Sequence, residues 1–341
     1  MKKIAFVVPI FLLSFIFSIF HIEKDWDIDQ DTAVWEVLKA LGEPMPNHQV
    51  NTQMEGVSIE KGRSLVLYGH PDSDGKKKVQ RQSKHFVCTS CHNIEKELAD
   101  LSITDPQVRL EYARDHQLPF LQGSALHGAV NRTEFYNGDY EKKYGDLVKA
   151  ARNSLRESIQ LCAVECSQGR PLKDWELESV LAYLWTLELT LADLNLSETE
   201  MQKLATTLNQ KQQDKPEMIA LIKSRYLSGI PAHFVAPPED RKKGYGLKGD
   251  PENGELIYEL SCLHCHEQKR YSLFELDRSK LTMRYLDRHF SRYSHASIYQ
   301  VSRYGAPSLY GKRAYMPQYT QEKMSNQQME DLRAYIHQAA Q

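Results

Sequence analysis

What the sequence has little of narrows it first. Its 341 residues include only six cysteines, too few for a fold stapled mainly by disulfides. Neither charge sign is in surplus: 43 Lys and Arg stand against 45 Asp and Glu, a formal charge of -2. There is no basic surplus to neutralise phosphates, which excludes a nucleic-acid partner bound through a basic surface. Long apolar runs are missing beyond the N-terminus, and 26% of the residues are charged, so a polytopic membrane protein is excluded. Alternating apolar and polar runs are also scarce, which removes most strands. What remains is 41% apolar and 10% aromatic, enough to bury ordinary cores in roughly two domains of about 150 residues each.

The one long apolar run stands at the start. Lys2 and Lys3 precede Ile4 to Phe20, and His21-Ile22-Glu23-Lys24-Asp25 then turns polar. This pattern predicts a signal peptide or an uncleaved membrane anchor over residues 1–22, with the rest of the chain exported to the periplasm. Ser18-Ile19-Phe20 is a poor cleavage triplet, so cleavage and anchoring both stay open.

Beyond that run the apolar residues recur at three-to-four spacing, and the expectation is an all-α protein. Two stretches share one plan. Each has a glycine in a short helical pattern (Gly62, Gly254), then Cys-x-x-Cys-His, then a closing amphipathic helix with Glu-x-x-x-Ala-Tyr. The closing residues are Glu178, Ala182 and Tyr183 in the first copy and Glu330, Ala334 and Tyr335 in the second. The first closing helix is expected from about Trp175 to Leu191, the second from about Asn326 to Gln338. The resulting division is a first unit over 55–193, a helical linker over 194–238, and a second unit over 239–341.

The motifs are Cys88-Thr89-Ser90-Cys91-His92 and Cys262-Leu263-His264-Cys265-His266. Cysteines three apart on one helical turn can both reach the vinyl groups of a porphyrin while the next residue aims an imidazole at the iron. A zinc site from two Cys-x-x-Cys pairs needs no histidine after each, and a redox dithiol of the thioredoxin type belongs in a βαβ pattern that is missing here. Two covalent haems are therefore expected, attached at Cys88, Cys91, Cys262 and Cys265, with His92 and His266 as axial ligands.

On these residues the chain resembles class I cytochromes c twice over, most strongly where Gly254, Cys262, Cys265, His266, Met316-Pro317 and the Tyr335 helix follow one another. The resemblance implies two tandem cytochrome c-like domains with Met316 as the second ligand opposite His266, and a thioether suits reduced iron. Met283, Met324 and Met329 read instead as core filler. No methionine lies between His92 and Trp175, so the first iron takes something else or nothing: His116, His127, Cys162 and Cys166 are the candidates. Ile159, Cys162, Gly169 and Pro171-Leu172 before the acidic closing helix are similar to dihaem thiosulfate dehydrogenases and related sulfur-oxidation cytochromes, a resemblance that implies Cys162 as ligand of the first haem. Cys166, Ser167-Gln168 and Ser158 depart from that group and leave the substrate open. Cys162 and Cys166, one turn apart, also read as a structural thiol pair or disulfide, and Arg132 either contributes to an anion pocket or is a solvated surface residue.

A thiolate opposite His92 would set the first haem at a lower potential than a His/Met site, so electrons would pass from the first to the second. The expected function is an exported electron carrier between redox proteins, such as a small cytochrome and a terminal oxidase or reductase. A thiosulfate dehydrogenase-like enzyme acting on a small sulfur oxyanion, with Cys162 and Arg132 in catalytic roles, is the alternative. A dihaem peroxidase fits less well, because Gly62-Arg63-Ser64-Leu65-Val66 and Gly254-Glu255-Leu256-Ile257-Tyr258 are not that family's Gly-x-x-Leu-Phe opening.

Overall fold

Side-chain oxygens set where many of the helices begin. Ser58 accepts the amide of Lys61, Asp105 those of Gln107 and Val108, Asp250 that of Glu252, and Ser325 that of Gln328. Each bond satisfies a donor that the first helical turn leaves without an intrahelical partner. The computed structural model, which describes residues 26–71, 80–209, 214–294, 296–306 and 315–341, contains α1 (Val34–Ala40), α2 (Ile59–Tyr68), α3 (Pro106–Asp115), α4 (Gly138–Tyr144), α5 (Leu155–Leu161), α6 (Asp174–Trp185), α7 (Glu198–Asn209), α8 (Lys215–Ser224), α9 (Pro251–Ile257), α10 (Leu263–His266), α11 (Lys280–Phe290), α12 (Ile298–Tyr304) and α13 (Asn326–Ala340); the four caps open α2, α3, α9 and α13. Among the described residues there are three isolated β-bridges and no sheet, so the protein is all-α. The expected signal or anchor over 1–22 lies outside the described residues. Among those described, no helix is long and apolar enough to cross a membrane.

Two helix crossings organise the molecule, and each turns on one of the repeated glycines. α2 packs on α6, and α9 on α13. A methyl group added at Gly62 would lie 1.8 Å from the carbonyl oxygen of Ser179, and one at Gly254 would lie 2.0 Å from that of Asp331. Ser179 and Asp331 directly follow Glu178 and Glu330 of the repeated pattern, so both crossings have the same register. Leu65, Val66, Val180, Leu181 and Leu184 fill the core beneath the first. Ile257, Met283, Leu286, Met329 and Ile336 fill that beneath the second.

One expectation is corrected here. The helix expected to run to Leu191 ends at Trp185. The Thr186 and Leu187 amides still bond back to Tyr183 O and Leu184 O, but the carbonyl of Leu187 accepts the Gly128 amide and the Leu189 amide donates to the Asn131 side chain, so the chain from there on bonds to a neighbouring loop. The stretch 194–238, read as a helical linker, holds helices α7 and α8. Leu204, Met218 and Ile222 bury against Val34, Val37 and Leu38 of α1 in a third apolar core.

α3 joins the two halves. Leu110 and Phe120 lie in the apolar core of the second crossing, the Phe120 amide donates to Leu260 O at 2.8 Å, and Arg109 donates to Lys323 O at 3.2 Å. Arg109 also pairs with Glu97 at 3.0 Å, and Lys323 approaches the same carboxylate at 3.6 Å. All three side chains are buried.

Candidate cofactor sites

In the second half, α9 runs into a π-helical turn, Tyr258–Cys262, and then into α10. π-turns cluster at functional sites because the extra residue re-aims side chains. The loop after α10 folds back over the motif: Tyr271 N donates to Cys265 O at 3.0 Å and Leu276 N to His266 O at 3.2 Å. His266 Nδ1 lies 2.8 Å from the carbonyl oxygen of Phe274. A carbonyl can only accept, so Nδ1 carries the proton and Nε2 keeps its lone pair for a metal. Burial lowers the pKa of His266 although this bond opposes it, which favours the neutral, ligating form. Burial pushes the Cys262 and Cys265 thiols up to about 12 and about 11, so they stay neutral unless covalently consumed. Met316 packs with Cys262 against the same apolar cluster. Its carbonyl accepts the Ala306 amide at 2.9 Å, an approach that needs Gly305: φ there is +71°, and a methyl group would lie 2.7 Å from Met316 O.

The first half repeats the imidazole arrangement on a different local frame. Cys88–Ser90 form a 3-10 turn, and the amides of Cys91 and His92 both donate to Cys88 O. His92 Nδ1 lies 2.7 Å from Ser124 O, which leaves Nε2 free in the same way. Gly123 makes that approach possible, since a methyl group there would sit 2.5 Å from both His92 Nδ1 and Cys91 O. Burial lowers the pKa of His92 and raises those of both thiols, Cys88 to about 11. Cys265 adds to the rise at Cys91, so the two motifs lie within electrostatic reach of each other.

The four candidates beside the first motif separate clearly. His127 Nε2 is bonded to Asp193 at 3.0 Å, and exposed His116 stacks on Tyr112 with its Nδ1 on the Tyr112 carbonyl; neither faces the motif. Cys162 and Cys166 bracket a second π-turn and are free thiols, with no disulfide between them. They hydrogen-bond to each other, which with burial raises the pKa of Cys162, and bonds from Cys162 and Tyr136 lower that of Cys166. Cys88 and Cys91 contribute to the rise at Cys162, so this thiol pair lies within electrostatic reach of the first motif. Arg132 stands elsewhere: it donates to the carbonyls of Ala125 and His127 at 3.0 and 3.1 Å and lowers the pKa of His92. It therefore belongs to the loop that holds the imidazole.

The sequence reading did not find Ser124 and Phe274, because a backbone carbonyl is present at every residue. The signal that could have pointed to the first was Gly123, one residue before the acceptor.

The residues suit a covalently attached haem: two neutral buried thiols and a neutral, oriented imidazole in each motif. Residues 249–336 match the family of cytochrome C oxidase, cbb3-type, subunit III. No curated protein and no solved structure matches the chain. Residues 249–336 are thus a cytochrome c domain carrying at least one covalent haem c, and the chain is an electron carrier of the c-type cytochrome kind that works with redox protein partners.

Proposed function

We propose that this is an exported dihaem cytochrome, with a donor served at the Cys88/Cys91/His92 site and an acceptor at the Cys262/Cys265/His266 site. The observation that carries the reading is the second oriented imidazole: His92 Nδ1 on Ser124 O matches His266 Nδ1 on Phe274 O, behind a glycine crossing of identical register. Haem iron supplies a one-electron couple; the chain's part is to hold it and bias its potential. Met316, which packs against the same apolar cluster as Cys262, would complete the second site, and Cys162, within electrostatic reach of Cys88 and Cys91, the first. A thiolate lowers an iron potential and a thioether raises it, so electrons would run downhill from the first site to the second. The lysine-flanked apolar run at 4–20 supports a periplasmic location, free or anchored.

The test is a haem count by pyridine haemochrome and intact mass. Two haems per chain are expected, falling to one in Cys88→Ala/Cys91→Ala; a single haem in the parent protein overturns the reading. Low-temperature EPR then assigns ligands. One thiolate-type low-spin signal should vanish in Cys162→Ala and one His/Met signal in Met316→Ala, and persistence of both removes both assignments.

The thiol cluster also favours a second reading, oxidation of a sulfur compound such as thiosulfate at the first site. It is supported by the hydrogen-bonded Cys162 and Cys166 lying within electrostatic reach of Cys88 and Cys91. Turnover of thiosulfate with an electron acceptor, lost in Cys162→Ala, tests it, and absence of turnover with intact ligation removes it.

A further inference from the structure

Large apolar side chains stand exposed around the second site. Leu273 is 76% exposed, Leu281 80%, Phe274 48% and Tyr285 39%. Phe274, Tyr285 and Leu281 form one face: the Phe274 ring lies 6.2 Å from that of His266 and 6.0 Å from that of Tyr285, which lies 4.4 Å from His289, Leu281 precedes Tyr285 by one turn of α11, and Leu273 adjoins Phe274 in the chain. Single exposed leucines are ordinary, but a cluster on one face marks a surface with a partner.

The charges around this face are lopsided. Residues 267–292 contain seven Lys and Arg against four Asp and Glu, in a chain whose total is -2. The acids are occupied locally: Glu267 by Arg278 at 2.9 Å, Glu275 by Lys269 at 3.7 Å, Asp287 by His337 at 3.1 Å, and Asp277 by Ser279 at 2.9 Å. Arg270, Lys280 and Arg288 have no ion-pair partner among the described residues. The face is thus apolar in the middle and cationic at the rim, and its central ring touches the imidazole of a haem ligand.

We propose that the loop 270–276 together with α11 is the electron-exit surface, and that it docks an acidic redox protein. This rests on the reading of His266 as an iron ligand. Charge complementarity speeds encounter with an acidic partner, and the apolar centre excludes water once docked. A lipid surface would use the same cations and leucines, but it has no need of contact with His266, so a redox protein is the occupant the geometry favours. The step is a one-electron transfer: the second iron goes from ferrous to ferric as the partner's acceptor gains that electron.

The experiment uses the reduced full-length holoprotein in stopped flow against an acidic blue-copper protein, plastocyanin, whose copper(II) becomes copper(I). The small complex tris(phenanthroline)cobalt(III), which becomes cobalt(II), is the control oxidant. The parent rate with plastocyanin should fall steeply with salt. Lys280→Glu/Arg288→Glu should lower it by about tenfold at low ionic strength, as should Leu273→Ser/Leu281→Ser, with no matching loss of the cobalt rate, which the charge reversal raises because that complex is tripositive. All four side chains are exposed, and the haem count is verified in each variant. An unchanged plastocyanin rate overturns the proposal, and so does an equal loss with both oxidants. If the variants keep the plastocyanin rate but lose co-sedimentation with phosphatidylglycerol vesicles, the face belongs to a lipid surface and the proposal falls. Absence of the haem at Cys262 and Cys265 would instead remove the underlying site reading, which the haem count reports separately.

Discussion

A histidine becomes a metal ligand through what holds its other ring nitrogen. In both motifs that partner is a backbone carbonyl supplied by a later loop, at 2.7 Å for His92 and 2.8 Å for His266. A carbonyl cannot be removed by substitution, but the close approach can. In Gly123→Ala the new methyl group would meet His92 Nδ1 and Cys91 O at 2.5 Å, so the ring must tilt or the loop must retreat. On the proposed dihaem reading, the expected outcome is a haem content falling from two toward one per chain, or a shifted potential of the haem at Cys88 and Cys91, read by pyridine haemochrome and redox titration; a parent-like count and potential would refute it. The two Cys-x-x-Cys-His motifs were legible in the sequence as the proposed attachment sites, because their spacing is what that chemistry requires. Ser124 and Phe274 were not, since nothing in a serine or a phenylalanine announces a carbonyl used elsewhere.

At the scale of elements, the repeated glycines set how closely two helices cross. Adding Cβ at Gly62 or Gly254 drives it into backbone of the partner helix, at 1.8 and 2.0 Å, and backbone cannot swing aside as a side chain does. Gly62→Ala and Gly254→Ala should each destabilise by roughly 1–3 kcal/mol or more, the range of overpacked interiors. The helical Gly138, with nothing within 4 Å of its added methyl, is the control: Gly138→Ala should be neutral or stabilise by up to about 1 kcal/mol. Denaturant unfolding compares the three, and equal midpoints for all would remove the crossing argument. The glycine, the Glu-x-x-x-Ala-Tyr pattern and the existence of α2, α6, α9 and α13 could be read from periodicity. The end of α6 could not, because apolar spacing continues through Leu187, Leu189 and Leu191 while their backbone bonds to other segments. For the same reason 194–238 read as a linker: the partner of its apolar face is α1, some 160 residues earlier.

Across the whole molecule the halves are held by a buried charge cluster. Burial alone would raise the pKa of Glu97, but Arg109 and Lys323 bring it down to about 2. A depressed carboxylate contributes stability above its unfolded value and loses it as pH falls through the folded one. Stability should therefore drop between about pH 4.5 and pH 2, and Glu97→Gln should blunt that drop while costing roughly 3–5 kcal/mol at pH 7 by leaving two buried cations without a counter-ion. Burial, helped by Arg109, pushes the Lys323 ammonium down to about 7. Above that pH the unfolded chain binds the extra proton, so stability should rise from about pH 7 toward the ordinary lysine range, and Lys323→Met should flatten the rise. Urea unfolding across pH checks both signs.

Composition and spacing alone determined the helical class, the covalent attachment chemistry and the four helices that cross in pairs, because these depend on residues a few positions apart. Only the tertiary structure decided which carbonyl orients each imidazole, that Cys162 and Cys166 lie within electrostatic reach of the first motif while His116, His127 and Arg132 bond elsewhere, and that Glu97 of one half is neutralised by Lys323 of the other. Those contacts join residues from eight to more than two hundred positions apart, and their energies depend on burial, which local sequence does not encode.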